Sequence, residues 1–162
     1  MMKKYKQITE KEAQLRLSSL CAKAEHCSGE IAEKMQNWGL EEEAKERIIN
    51  QLIKEKYIDD ERFTQSFVND KITYNKWGRR KIEQALYQKR IAKDISNKIL
   101  DDVPDEEYIK ILHPLLTNKM KTITGRSDYE RSMKLIKYAM SRGFDMNIIR
   151  ECIDNAEELV ND

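Results

Sequence analysis

Three consecutive acids, Asp59-Asp60-Glu61, lie between Tyr57 and the phenylalanines Phe63 and Phe67, and carboxylates in such a run could ligate a metal or move protons. Oxygen-ligand metal sites need several carboxylates converging on one point. Consecutive residues entering a helix point in different directions. The spacing instead makes Asp59 or Asp60 the N-cap of a helix, its carboxylate accepting from free amides at the positive helix end. His26 and His113, the two histidines, stand in neither an HxxxH nor an HxH arrangement. The adjacent His26-Cys27 suggests no orienting third group and is expected in a surface turn. Cys21, Cys27 and Cys152 are odd in number without CxxC spacing, which fits buried, reduced thiols in a cytosolic protein. No GxxxxGK[ST] or GxGxxG loop is present. These residues predict no catalytic centre, no metal and no cofactor.

Phosphate recognition is the chemistry better represented. The net charge is only +1, but the charges are blocked along the chain. Residues 71–98 carry nine Lys/Arg against Glu83 and Asp94, a net of +7, and residues 110–142 carry eight against Asp128 and Glu130, a net of +6. Between them, residues 99–109 hold five acids and no base. Tyr74, Trp77 and Tyr87 accompany the first basic block, and Tyr129 and Tyr138 the second. Lysines and arginines that meet phosphates, with flat rings to stack on bases, make a nucleic-acid-tracking surface. The same composition also serves as a solvated helix face. Trp77 precedes a helix in the loop 75–81, so its ring is placed either for a partner or on its own core.

The elements that must position these residues are helical. With 36% charged residues, five glycines and two prolines in 162 residues, and a mean hydropathy of -0.80, the chain is polar and loop-poor. It turns polar directly after Met1-Met2-Lys3-Lys4 and has no apolar run near ~20 residues, which predicts neither a membrane span nor secretion. The segment 31–40 aligns with 82–91 at an offset of 51, and with 135–144 at a further 53. Apolar residues keep register at Ile31/Ile82/Leu135, Met35/Leu86/Ala139, Leu40/Ile91/Phe144, Ile48/Ile99/Cys152 and Leu52/Val103/Ala156.

Helical spacing holds in every copy: Ala13, Leu17 and Cys21, then Ala44, Ile48 and Leu52, in the first; Phe63, Phe67, Val68 and Ile72, then Ile95, Ile99 and Val103, in the second. In the third, Ile111, Leu115, Leu116 and Met120 are expected to face inward. The reading is an all-α fold of three tandem three-helix repeats, 9–58, 59–104 and 105–160, forming an elongated, curved array with a continuous core. Gly39 and Gly143 are placed at left-handed helix ends, and Thr9-x-x-Glu12 and Ser127-x-x-Glu130 as capping boxes. Asp105 is expected to cap the helix after Pro104, and Pro114 to break or kink it.

At Tyr57-Ile58-Asp59-Asp60-Glu61-Arg62-Phe63, Trp77-Gly78-Arg79-Arg80-Lys81-Ile82, Leu86 and Lys89-Arg90-Ile91, the sequence resembles the RecX family of bacterial regulators of the RecA recombinase. Arg79 stands where many members have proline, and Arg90 where a C-terminal glycine is usual. The resemblance implies three-helix repeats and a non-catalytic, cytoplasmic protein of DNA repair, recombination and the SOS response. It further implies binding to RecA and its filament on single-stranded DNA, restraining filament growth, ATP hydrolysis and strand exchange. Resemblance and charge together nominate Trp77, Arg79, Arg80, Lys81, Lys89, Arg90, Lys134 and Lys137 for partner or DNA contact. Tyr57, Asp59, Asp60, Phe63, Gly78, Ile82, Leu86 and Ile91 are assigned to the scaffold. The expected protein is a monomer with no membrane partner. Two alternatives belong to other classes: an autonomous helix-turn-helix-like DNA-binding protein, with 79–89 or 127–141 entering a groove, and a helical-repeat adaptor that binds only protein.

Overall fold

The structure, a computed structural model, describes residues 8–160, with side chains described to residue 153. The leading Met1-Met2-Lys3-Lys4 and the side chain of Ala156 lie outside the described residues. Nine helices and no strand occur among them, as the all-α reading requires. They are α1 (Glu10–Lys23), α2 (Ser28–Asn37), α3 (Glu42–Lys54), α4 (Asp60–Thr73), α5 (Arg79–Gln88), α6 (Lys93–Asp101), α7 (Asp105–Met120), α8 (Asp128–Ser141) and α9 (Met146–Val160).

The internal register is visible at the ends of the middle helices. Gly39, Arg90 and Gly143 occupy one repeat position and have φ of 73°, 61° and 91°. After each, an apolar residue donates its N–H five residues back: Leu40 to Met35 O, Ile91 to Leu86 O and Phe144 to Ala139 O, at 3.2, 3.1 and 3.2 Å. This is the Schellman closure that satisfies helix-end carbonyls. Arg90 makes it without glycine, in backbone that disfavours a side chain. Ile31/Ile82/Leu135, Met35/Leu86/Ala139 and Ile48/Ile99/Cys152 are all buried.

Several local expectations need correction. Thr9 caps α1 by accepting from Glu12 N–H at 3.1 Å, and Ser127 caps α8 by accepting from Glu130 N–H at 3.1 Å. Glu130, however, accepts from Arg126 N–H, one residue before the cap. Asp105 is the first residue of α7, not its cap; the cap position belongs to Pro104, which uses no side-chain hydrogen bond. Pro114 does not break α7, which runs on through it. It lies on the exposed side, where water can satisfy the carbonyl left without an amide donor. The buried face of α7 is Tyr108, Leu112 and Leu116, while Ile111, Leu115 and Met120 only rim the core. Tyr108, Leu112 and Leu116 follow at four-residue spacing, so the buried stripe starts from a tyrosine that the aliphatic pattern alone leaves out.

The core is two clusters, not the continuous one expected. Ala13, Leu17, Ile31, Met35, Ile48, Leu52 and Ile58 form the first. The second runs from Phe63 to Cys152 through both later triads of helices and takes in Cys27. The joints explain the division. Between the later triads, α4 packs on α7, and Gly78 lies so close to the α8–α9 turn that a Cβ there would fall 2.3 Å from Phe144 N and 2.4 Å from Gly143 O. Gly78 N–H donates to Arg142 O at 2.8 Å and Arg80 N–H to Gly143 O at 3.0 Å. The first joint has the same plan: a Cβ on Gly29 would fall 2.0 Å from Lys89 O. Cys27 is the buried side chain of the first triad that joins the second cluster, and the contacts around it, Asp60 to Ser28 and Glu30 to Lys89, are polar. In both joints the positive start of one middle helix meets the C-terminal carbonyls of the next, a favourable dipole alignment.

Candidate partner interface

The three acids divide their work. Asp59 is the N-cap of α4, accepting from Arg62 N–H at 3.0 Å. Asp60 is already helical, and its carboxylate reaches the first joint, accepting from Ser28 N–H at 2.7 Å and from the Ser28 hydroxyl. It thus satisfies an amide at the start of α2, a cap supplied from the neighbouring triad. Glu61 pairs with Lys98 across the α4–α6 packing, at 2.8 Å. No group of three His, Cys, Asp or Glu side chains among the described residues could hold a metal ion.

Cys27 is fully buried, as the reading of the cysteines as buried thiols expects and the surface-turn reading of His26-Cys27 does not. It sits at the N-cap of α2, where Glu30 accepts from its N–H at 3.3 Å and from its thiol at 3.4 Å. Burial is the main cause that pushes the Cys27 thiol up to about 11. A thiol so disfavoured as thiolate is a poor nucleophile. Burial works to raise the Glu30 carboxyl too, but hydrogen bonds from Cys27, with Lys89 and His26 nearby, outweigh it and lower the pKa. Glu30 and Lys89 approach to 3.7 Å, tying α2 to the end of α5.

The nominated basic residues separate by what holds them. Arg79 pairs with Glu83 and with Asp101, each at 2.6 Å, and its side chain is only 27% exposed. Arg80 pairs with Asp145 at 2.9 Å and so braces the second joint. Together with Gly78, these contacts cover the start of α5, the end that would enter a groove in a helix-turn-helix reading. Lys134 approaches Glu130 at 3.9 Å and the Thr124 carbonyl, whereas Lys137 is exposed without a partner among the described residues. Arg90 is exposed and makes no ion pair or side-chain hydrogen bond among them.

Between α4 and α5 the remaining cations alternate with rings. Phe63 and Phe67 stack at 5.7 Å. Lys89 Nζ lies 5.8 Å from both ring centroids. Lys71 Nζ is 5.2 Å from Phe67 and 4.9 Å from Trp77, and Lys81 Nζ caps Trp77 at 4.7 Å. The strip crosses the second joint, because Lys81 packs on Gly143 and Arg142 donates to Asn75 O at 2.6 Å. It ends in the third triad with Arg142 and Lys119 over Tyr138, at 6.0 and 5.0 Å. Trp77 is half-buried against the larger core cluster, so it satisfies both placements open to it in the sequence. Lys71, Arg142 and Lys119 were not nominated from the sequence, and Tyr138 was named only as a ring accompanying the second basic block. The block charges contained them, but only the packing shows them on one strip.

An all-α repeat scaffold with cations and rings along its surface, and acids engaged in caps and joints, presents a surface suited to binding. Residues 59–100 match the model of the RecX second three-helix domain, and residues 105–153 that of the third. The chain belongs to the RecX family of non-catalytic regulatory proteins. It is 31% identical over 137 residues to the regulatory protein RecX of Chlorobium phaeobacteroides, covering 83% of this chain and 87% of that one. To that of Oceanobacillus iheyensis it is 27% identical over 79% of this chain, which there spans about half of the relative's length, 47%. The fold matches the crystal structure of RecX from Lactobacillus salivarius with a TM-score of 0.85, at 19% identity, covering 91% of this chain and 96% of that one. No helix among the described residues is long and apolar enough to cross a membrane.

Proposed function

We propose that this protein regulates the RecA recombinase by binding RecA and its filament on single-stranded DNA, restraining filament growth, ATP hydrolysis and strand exchange. The observation that carries the reading, beside family membership, is the strip running from Lys89 through Phe67, Lys71, Trp77 and Lys81 to Arg142 and Tyr138. Cations along such a strip meet phosphates or an acidic protein surface, and rings within it add apolar and stacking contact. Trp77, Lys81, Lys89 and Lys137 belong to this contact surface. Arg79 and Arg80 hold the scaffold beneath it. The protein acts in the cytoplasm, as a monomer, and as repeats of residues 9–58, 59–104 and 105–160.

The test titrates the protein, well below one copy per recombinase subunit, into RecA hydrolysing ATP on single-stranded DNA. Hydrolysis is expected to fall at ratios too low to coat the DNA. Unchanged hydrolysis together with firm binding to free DNA would replace the reading with an autonomous DNA-binding protein. Salt-insensitive binding to protein alone would replace it with an adaptor.

A further inference from the structure

We infer that Arg90 and Tyr87 form a nucleotide-binding recess at the first joint, with the Arg90 guanidinium taking a phosphate and the Tyr87 ring taking a base. The inference rests on the reading that the protein meets single-stranded nucleic acid. Its first support is internal to the chain. Arg90 occupies the left-handed position, φ 61°, that the first and third repeats fill with Gly39 and Gly143. Any L side chain there is strained relative to glycine; Lys56 and Lys76 adopt the same region, at φ 63° and 57°, so what singles out Arg90 is that it replaces the glycine of the other two repeats. Nothing in the fold uses the Arg90 head group: it makes no ion pair or side-chain hydrogen bond among the described residues.

The second support is the recess. Tyr87, Gln88, Arg90 and Ile91 line an open depression of about 450 Å³. No acid lines it, and Tyr87 is 82% exposed. An unpaired guanidinium beside an open ring is the pairing that single-stranded nucleic acids use: charge for the backbone, a flat face for the base. Lys89, which precedes Arg90 in the chain, lies instead over Phe63 and Phe67, so the recess is a contact separate from the cation strip. On the other side of Arg90 lies a second recess of about 340 Å³. Glu42, Glu46 and Lys45 line it; Lys45 is already paired with Glu42 at 2.7 Å, and the second carboxylate, Glu46, makes this side less favourable for phosphate than the acid-free Tyr87 side.

The test uses the full chain and a fluorescent oligothymidylate, without recombinase, at several salt concentrations. Arg90→Gly is expected to raise the melting temperature by about 2–4 °C, as relief of strain does in a chain of this size. The same variant is expected to weaken oligonucleotide binding and reduce the salt slope by about 0.7, one phosphate contact. Tyr87→Ala is expected to weaken binding by about five-fold or more, with Tyr87→Phe near wild type because stacking survives. Undiminished oligonucleotide binding by Arg90→Gly and Tyr87→Ala, with wild type binding firmly, would overturn the recess and leave the functional reading standing. Wild-type protein that binds no oligonucleotide would remove the nucleic-acid reading of the whole face.

Discussion

At the scale of single residues, identical carboxylates differ in work because of where their neighbours lie. Asp59 closes a local turn, whereas Asp60, one position on, reaches a serine 32 residues away in sequence. Asp59→Ala should cost about 1 kcal/mol in denaturant unfolding, the usual loss of a cap, with affinity for single-stranded DNA unchanged. Asp60→Ala removes an ionised acceptor from two donors and should cost about 1.5–3 kcal/mol. Its cost should fall in the Ser28→Ala background if the two act as one contact. Additive losses in that double-mutant cycle would show that Asp60 works through something other than Ser28.

At the scale of elements, the repeat fixes a common turn but the joints decide what each glycine is for. Gly39 and Gly143 share a left-handed backbone, yet a Cβ at Gly39 would meet nothing within 4 Å, while one at Gly143 would fall 2.4 Å from Lys81 Cβ and 2.6 Å from Lys81 N. Gly39→Ala should therefore cost about 1 kcal/mol, the conformational penalty alone. Gly143→Ala adds overlap with the start of α5 and should cost about 1–3 kcal/mol more. Gly78→Ala should carry the overlap part alone, since its φ is an ordinary -82° while its Cβ would meet backbone from the other side of the same joint. Equal melting temperatures for the Gly39 and Gly143 variants would mean that the two glycines matter only for their φ.

At the scale of the whole molecule, the basic charge divides into a scaffold part and a surface part. Lys71 and Lys81 make no ion pair among the described residues and lie over rings. Arg79 is held between Glu83 and Asp101. Replacing Lys71 and Lys81 together by Ala should weaken single-stranded DNA binding and lower the salt slope by about 1.4, two phosphate contacts, with helicity by circular dichroism unchanged. Arg79→Ala should leave that slope unaltered and instead lower stability by about 1 kcal/mol, the scale of a partly exposed ion pair. A salt slope that follows Arg79 and ignores the lysines would reverse the division drawn here.

What the sequence determined by itself is whatever local periodicity encodes. Apolar residues at three- and four-residue spacing dictate helices, and their recurrence at offsets of 51 and 53 dictates three similar copies. A family resemblance concentrated in residues 57–91 pointed to a regulator. The sequence could not say whether Asp59 or Asp60 was the cap, because both stand at the same helix start and only the position of Ser28 separates them. Nor could it show that Arg79 is engaged while Lys71 is not, since both belong to one basic block and their partners lie 22 residues off in Asp101 and on the rings of Phe67 and Trp77. The split of the core was hidden for the same reason. Spacing marks which residues turn inward within a triad, but whether two triads share apolar surface depends on how closely their backbones meet. At Gly29 and Lys89 that contact is backbone against backbone, with charged and polar side chains around it.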